Sequence, residues 1–121
     1  MRRIYDHIDL RVPSLAEVEA FYRTLLPALG FTREDDAEGW LQYQTEDESQ
    51  FFGVTESPAH VANENRIAFH AGDVEEVERL AEVAVKAGAR NVEGPMLYSL
   101  GYRAVFFEDP CGNRFEICWR E

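Results

Sequence analysis

The sequence predicts an α+β fold made of two tandem βαβββ modules. The first observation is an internal repeat: residues 6–26, DHIDLRVPSLAEVEAFYRTLL, align without a gap on residues 65–85, NRIAFHAGDVEEVERLAEVAV. The second is that both copies begin with alternating apolar residues and continue with apolar residues at helical spacing. The third is that further strand-like runs, separated by turn residues, follow each predicted helix.

The first strand of each module shows the period of a half-buried strand. Ile8, Leu10 and Val12 alternate with polar side chains, and residues 66–71 repeat this alternation at the matching positions. Successive side chains of a strand point to opposite faces of the sheet. We therefore expect His7 on the face opposite the core.

Each predicted helix begins at a capping sequence. Ser14 followed by Glu17 is a capping-box signature, and Asp73 followed by Glu76 is a variant of it. A glycine suited to a helix C-terminus follows each helix. Apolar residues at helical spacing mark the core-facing side of both helices: Leu15, Val18, Phe21, Tyr22, Leu25, Leu26 and Leu29 in the first, and Val74, Val77, Leu80, Ala81 and Ala84 in the second.

Strand-like runs follow both helices. Short strands are expected near Thr32–Glu34 and near Asn91, and Pro95–Tyr102 is expected to form an aromatic loop. The longer runs are Trp40–Gln44, Phe51–Thr55, Arg103–Phe107 and Arg114–Trp119. We expect a single domain, with module 1 at about residues 1–57, a polar linker at about 58–64 and module 2 at about 65–121. Each half is too small to stand alone and would leave one sheet face bare.

The charge balance narrows the partners. The 121 residues include 23 acidic and 12 basic side chains, for a formal net charge of −11. Nucleic acids and anionic membranes attract basic surfaces, so we expect neither as a partner. No apolar run approaches the roughly 20 residues of a spanning helix, and the first residues do not form a signal peptide. We expect a cytoplasmic protein with two free thiols, Cys111 and Cys118.

The chain resembles the vicinal oxygen chelate superfamily, which includes glyoxalase I, bleomycin-resistance proteins and extradiol dioxygenases. The resemblance rests on DHIDLRVPSLAEVEAFYRTLLPALGF, on RIAFHAGDVEEVERL and on FFEDPCGNRFEIC. It implies that the two modules form a cup-shaped, rolled mixed sheet with the helices outside. It also implies a homodimer and a divalent metal (Zn, Ni, Mn or Fe) in the cup.

The ligand positions implied by the resemblance are incompletely filled. His7 matches the first-strand ligand and Glu116 matches the glutamate of the last strand. Arg66 stands where the family carries a second histidine, and an arginine does not ligate a metal. Alignment of Phe51-Phe52 with Phe115-Glu116 places Phe52 at the remaining position, and Gln50 is the nearest polar side chain that could replace it. We expect Arg66 to occupy the space of the lost metal and to pair with Glu116.

Other candidates would line the cup and contact a ligand. By strand parity, Asp9, Arg11 and His70 share the face of His7 and Arg66, although a solvated sheet face is an open alternative. The resemblance places the Pro95–Tyr102 region over the mouth of the cup. Planar ligands could stack on the aromatic side chains of Trp40, Tyr98 and Tyr102, and ordinary packing is the alternative.

Three functions remain open from the sequence. In the first, the protein binds a small polar or aromatic ligand in the cup, without a metal or with a weakly bound one, with His7, Arg66 and Glu116 as the polar floor. In the second, it is a metal-dependent lyase, isomerase or dioxygenase that uses His7, Glu116 and a third ligand such as Gln50, with Glu116 also a candidate catalytic residue. In the third, side chains such as Phe51 and Phe52 fill the cup and the domain is structural.

Overall fold

The tandem βαβββ arrangement is confirmed by the computed structural model, which describes residues 2–121. The chain divides after Val61 into two compact units. The first contains β1 (His7–Val12), α1 (Leu15–Leu29), β2 (Arg33–Glu34), β3 (Trp40–Gln44) and β4 (Phe51–Glu56). The second contains β5 (Arg66–His70), α2 (Val74–Ala87), β6 (Arg90–Ser99), β7 (Tyr102–Glu108) and β8 (Arg114–Arg120).

Both units have the same sheet topology. The strand order is β1-β4-β3-β2 in the first unit and β5-β8-β7-β6 in the second. In each unit the first and last strands pair in parallel and the remaining pairs are antiparallel. Ile8 lies opposite Phe52, and Ile67 lies opposite Phe115. The repeat in the sequence therefore extends to the register of the strands.

The second unit has one apolar sheet face and one mixed face. Val105, Phe107, Phe115 and Ile117 are at most 2% exposed and share the parity of Ile67, and α2 packs against β6, β7 and β8. The apolar face of this sheet therefore forms its core. The opposite face carries Arg66 and Ala68 on β5, Arg114, Glu116 and Cys118 on β8, and Tyr102, Ala104 and Phe106 on β7. We call it the open face of the second unit.

The two helices begin differently. The Asp73 carboxylate accepts a hydrogen bond from the Glu76 backbone N–H (2.7 Å), as a side-chain cap should, so that prediction is confirmed. Ser14 makes no such bond, so the predicted capping box at α1 is wrong. Instead, the Leu15 N–H donates to the Glu56 carboxylate (3.0 Å) at the end of β4. A long-range partner has replaced the local one.

The expected Pro95–Tyr102 loop is also wrong, because most of it belongs to β6. This strand runs to Ser99 and pairs with β7 through several register shifts, and the turn is confined to residues 100–101. Pro95 is tolerated because β6 lies at the sheet edge, where one side of the backbone needs no partner. Neither helix in residues 2–121 has the length and apolar character needed to cross a membrane.

Candidate functional site

Two cross-strand rows of side chains define the centre of the open face. In the first row, Arg66 lies opposite Arg114, which lies opposite Glu108. In the second, Glu116 lies between Ala68 on β5 and Phe106 on β7. Successive side chains of a strand point to opposite faces of the sheet, so both rows follow directly from the pairing of β5, β8 and β7.

Glu116 is a buried carboxylate on this face. It is only 7% exposed, although its backbone neighbours Phe115 and Ile117 point to the other side of the sheet. The Tyr102 hydroxyl donates a hydrogen bond to Glu116 Oε2. Burial, followed by this bond, raises the pKa of Tyr102 to about 12. The phenol therefore stays protonated and remains a donor to the carboxylate through the physiological range.

Arg66 does not pair with Glu116, so that expectation is wrong. Among residues 2–121 no ion pair joins the two side chains. Arg66 is level with Arg114 rather than with Glu116, and its guanidinium carbon lies 4.7 Å from the centroid of the Phe106 ring. A cation over an aromatic face is favourable. Arg66 and Glu116 both belong to the second unit.

Tyr98 extends the aromatic part of the site. Its ring meets Phe106 edge-on, with centroids 5.1 Å apart, and lies 6.4 Å from Tyr102. The Tyr98 hydroxyl donates to Glu93 Oε2 (3.1 Å), and burial, followed by this bond, raises the pKa of Tyr98. The structure thus brings two predicted aromatic residues onto the open face, Tyr98 in the same cavity as Arg66 and Tyr102 beside Glu116.

Two hollows lie on this face. One has a volume of about 460 Å³ and is lined by side chains that include Arg66, Asn91, Tyr98, Phe106 and Arg114. Its size lies within the range of about 300–1,000 Å³ that is usual for small-molecule sites. A second, of about 660 Å³, has Tyr102, Glu116 and Cys118 in its lining. Both are formed entirely by residues of the second unit.

Both thiols have a raised pKa. Cys118 lies opposite His70 in the sheet, and burial, followed by the charge of Glu116, raises its pKa. The pKa of Cys111 is raised to about 12, first by burial and then by a hydrogen bond to Asp109. A nucleophilic thiol needs a lowered pKa.

His70 is exposed at the far end of β5, four residues from Arg66.

The predicted residues of the first unit are polar groups with partners inside that unit. The His7 ring stacks on Phe51, with centroids 4.2 Å apart, and its Nδ1 is 2.7 Å from the Asp6 carboxylate. Asp9 accepts a hydrogen bond from Arg11 (3.0 Å) and another from the Thr55 hydroxyl (3.1 Å). These groups lie beside β4 and already have partners within the unit. Trp40, at the start of β3, is 44% exposed.

The remaining ligand position was misaligned. Asp9 pairs with Gly53 as Ala68 pairs with Glu116, so Gly53, and not Phe52, is the counterpart of Glu116. Phe52 is fully buried on the apolar face of its sheet. Gln50 precedes β4 in an exposed turn, where its backbone pairs with Thr45. The alignment of β4 with β8 made from the sequence was therefore wrong by one residue, because a short sequence alignment cannot resolve the register of a strand.

The donor set does not fit the family's metal site. Of the four ligand positions, one holds Arg66, which has no lone pair to offer, and another holds Gly53, which has no side chain. No group of three His, Cys, Asp or Glu side chains that could hold a metal ion occurs within residues 2–121. Two residues central to this face, Phe106 and Arg114, were missed from the sequence. Their strand parity, shared with Tyr102 and Glu116 respectively, was the available signal.

Comparisons with known proteins identify the family. The sequence model of the Glyoxalase/Bleomycin resistance protein/Dioxygenase superfamily matches residues 4–117. A search of curated proteins finds no match. The fold is similar to that of a glyoxalase/bleomycin resistance protein from Albidiferax ferrireducens T118 (22% identity, TM-score 0.80, covering 97% of this chain and 98% of that one).

Two fosfomycin resistance proteins, both FosX, have the same fold. The protein from Mesorhizobium loti is 21% identical, with a TM-score of 0.71 and coverage of 100% of this chain and 95% of that one. The protein from Listeria monocytogenes is also 21% identical, with a TM-score of 0.72 and coverage of 98% and 93%. The match over residues 4–117 shows that this chain belongs to the Glyoxalase/Bleomycin resistance protein/Dioxygenase superfamily.

Proposed function

We propose that this protein binds a small polar or aromatic molecule on the open face of its second unit and that Arg66 takes the place of a divalent metal there. Members of the superfamily often use such a metal. The observation that carries the proposal is the position of Arg66, whose guanidinium lies 4.7 Å from the Phe106 ring in a cavity of about 460 Å³. A fixed cation can hold a polar ligand where a metal would otherwise do so.

The surroundings of Arg66 suit binding more than metal chemistry. Glu116 is buried and its Oε2 already accepts a hydrogen bond from Tyr102. A divalent cation at Glu116 would have to compete with that bond and would meet the positive charge of Arg66. Phe106 and Tyr98 supply aromatic surface within the same cavity. Such a mixture of apolar walls and a few convergent polar groups is typical of small-molecule sites.

A metal assay tests the proposal. The protein, prepared without a polyhistidine tag, is analysed for its elements before and after loading with Zn, Ni, Mn and Fe(II). We expect no stoichiometric metal in the wild type under any loading. Because the chain is acidic, Glu108→Gln serves as the control for metal held only by surface charge. Stoichiometric metal that is lost in Glu116→Gln and kept in Glu108→Gln would contradict the proposal.

A ligand screen tests whether the open face binds a small molecule. A library of small polar and aromatic compounds is added to the metal-stripped protein, and bound compounds are located by the backbone amide resonances that they shift. We expect hits to move the resonances of β5, β7 and β8. Hits confined to other surfaces, or a complete lack of hits over a broad library, would count against a binding function for the open face.

We also propose that the protein forms a homodimer. Family resemblance motivates this, and the edge strand β6 supports it, because Met96 and Leu97 are about half exposed and Leu100 is 95% exposed. Exposed apolar residues along a sheet edge are a surface on which another chain can pack. Light scattering coupled to gel filtration measures the mass. A monomer at all concentrations would contradict this part of the proposal.

A further inference from the structure

Two arginines lie opposite each other on the open face. Arg66 on β5 and Arg114 on β8 are register partners, so their backbones are about 5 Å apart. A guanidinium does not lose its proton in proteins. Like charges directly opposite each other destabilise a sheet. An anion bound between the two side chains would turn this repulsion into attraction.

Within residues 2–121, no carboxylate forms an ion pair with either of these two arginines. Most other arginines form ion pairs: Arg3, Arg11, Arg23, Arg33, Arg79, Arg90 and Arg103. Within residues 2–121 neither Arg66 nor Arg114 forms one, although the chain carries 23 acidic side chains. Two guanidinium groups without an ion pair lie in one cavity, which Glu93 and Glu108 also line, and this pair of donors points to an anionic ligand.

The acidic side chains of the cavity are engaged elsewhere. Glu108 is the register partner of Arg114, but its carboxylate accepts a hydrogen bond from Asn91 Nδ2 (2.9 Å) and lies 3.9 Å from Arg90. Glu93 accepts the hydroxyl of Tyr98 (3.1 Å). These contacts orient both carboxylates, and neither carboxylate forms an ion pair with Arg66 or Arg114, so the N–H donors of the two guanidinium groups are available to a ligand.

We propose that this cavity binds an aromatic carboxylate. The ligand's oxyanion lies between the guanidinium groups of Arg66 and Arg114, and its ring packs against Phe106 and Tyr98. The fork of N–H donors on an arginine matches the two oxygens of a carboxylate, and aromatic side chains favour a planar ring. The inference rests on the proposed function and names its ligand class. A phosphonate offers the same oxyanion chemistry, so the test compares the two.

The test uses backbone amide NMR titrations with four probes. Benzoate carries both features, benzamide lacks the charge, cyclohexanecarboxylate lacks the planar ring, and phenylphosphonate replaces the carboxylate. We expect benzoate to bind the open face. Benzamide should bind about tenfold more weakly or not at all, because the loss of one charge-assisted contact costs at least about 1.4 kcal/mol. The affinity of cyclohexanecarboxylate should fall between those of benzoate and benzamide. Tighter binding of phenylphosphonate than of benzoate would overturn the assignment to a carboxylate.

Variants test whether Arg66 and Arg114 hold the anionic group of the ligand. Arg66→Met and Arg114→Met keep the aliphatic stem, and each is expected to weaken benzoate binding about tenfold. Arg120→Met, on the same strand but outside this cavity, is the matched control and should bind normally. Equal binding of benzoate and benzamide on the open face, unaffected by either variant, would refute the anion site and leave the proposed function standing. If no probe shifts any resonance of the open face, both fail.

Discussion

The hydrogen bond from Tyr102 to Glu116 is the contact whose removal has the most predictable effect. Tyr102→Phe deletes the donor and leaves a carboxylate that is only 7% exposed without that partner. Hydrogen bonds to charged groups contribute about 1.5–3 kcal/mol, and a buried group left unsatisfied costs its full desolvation. We therefore expect the free energy of unfolding to fall by about 1.5–3 kcal/mol.

The double variant reverses part of this loss. Glu116→Leu in the Tyr102→Phe background removes the unsatisfied charge, and replacement of both polar partners by apolar groups is nearly neutral. The double variant should therefore be at least as stable as Tyr102→Phe alone, with a coupling energy of about 1.5 kcal/mol or more. Coupling between Arg66→Met and Glu116→Leu should be smaller, because no ion pair joins Arg66 to Glu116.

Urea unfolding measures these energies. Trp119 lies on β8, so its fluorescence in a Trp40→Phe background follows the second unit. Tyr98→Phe is the matched control, because the Tyr98 hydroxyl donates to an exposed carboxylate and its loss should cost less than about 1 kcal/mol. If Tyr102→Phe cost no more than this control, or if Arg66 coupled more strongly to Glu116 than Tyr102 does, the reasoning would be refuted.

Three further predictions concern stability. Because the pKa of Tyr102 is raised from 10.0 to about 12, the free energy of unfolding should fall as the pH rises through that range, by less than about 2.7 kcal/mol since the side chain is only partly buried. Tyr102→Phe should flatten this pH dependence in urea titrations, and an unchanged pH dependence in the variant would contradict the prediction. Asp73→Ala should cost about 1 kcal/mol and Ser14→Ala less than about 0.5 kcal/mol, because Ser14 makes no side-chain cap; equal losses in thermal unfolding would contradict this. Gly94→Ala should lower the free energy of unfolding by about 2 kcal/mol or more and Gly88→Ala by about 1 kcal/mol, because both glycines have a positive φ but an added Cβ would lie 2.8 Å from a β7 carbonyl oxygen at position 94 and in open space at position 88. The reverse order of the two losses in urea unfolding would contradict this.

The architecture could be predicted from the sequence because its signals are local. The repeat, the alternation in β1 and β5 and the helical stripes each depend on residues close in the chain. The position of Glu116 on the open face follows from the same alternation, since Phe115 and Ile117 are core residues. A charged residue between two apolar residues of a strand is therefore an informative pattern in the sequence itself.

The errors arose where long-range geometry decides. The partner of a parallel strand is set by a crossover of many residues, so the pairing of Gly53 with Asp9 could not be read from β4 itself. The placement of Arg66 over Phe106 depends on how a long side chain crosses two strands. Similarly, the strand expected near Asn91 was confirmed, but its extension to Ser99 was not expected, because Pro95 is a strong strand breaker whose position at the sheet edge is visible only in the structure.

A crystal soak distinguishes most directly between a small molecule bound by Arg66 and its neighbours and a metal held at the same place. Crystals are soaked with zinc and para-bromobenzoate, because anomalous scattering distinguishes zinc from bromine. We expect bromine on the open face near Phe106 and Tyr98, with the carboxylate on Arg66 and Arg114, and no zinc at Glu116. Zinc bound to Glu116, or bromine only on other surfaces, would contradict the proposed function.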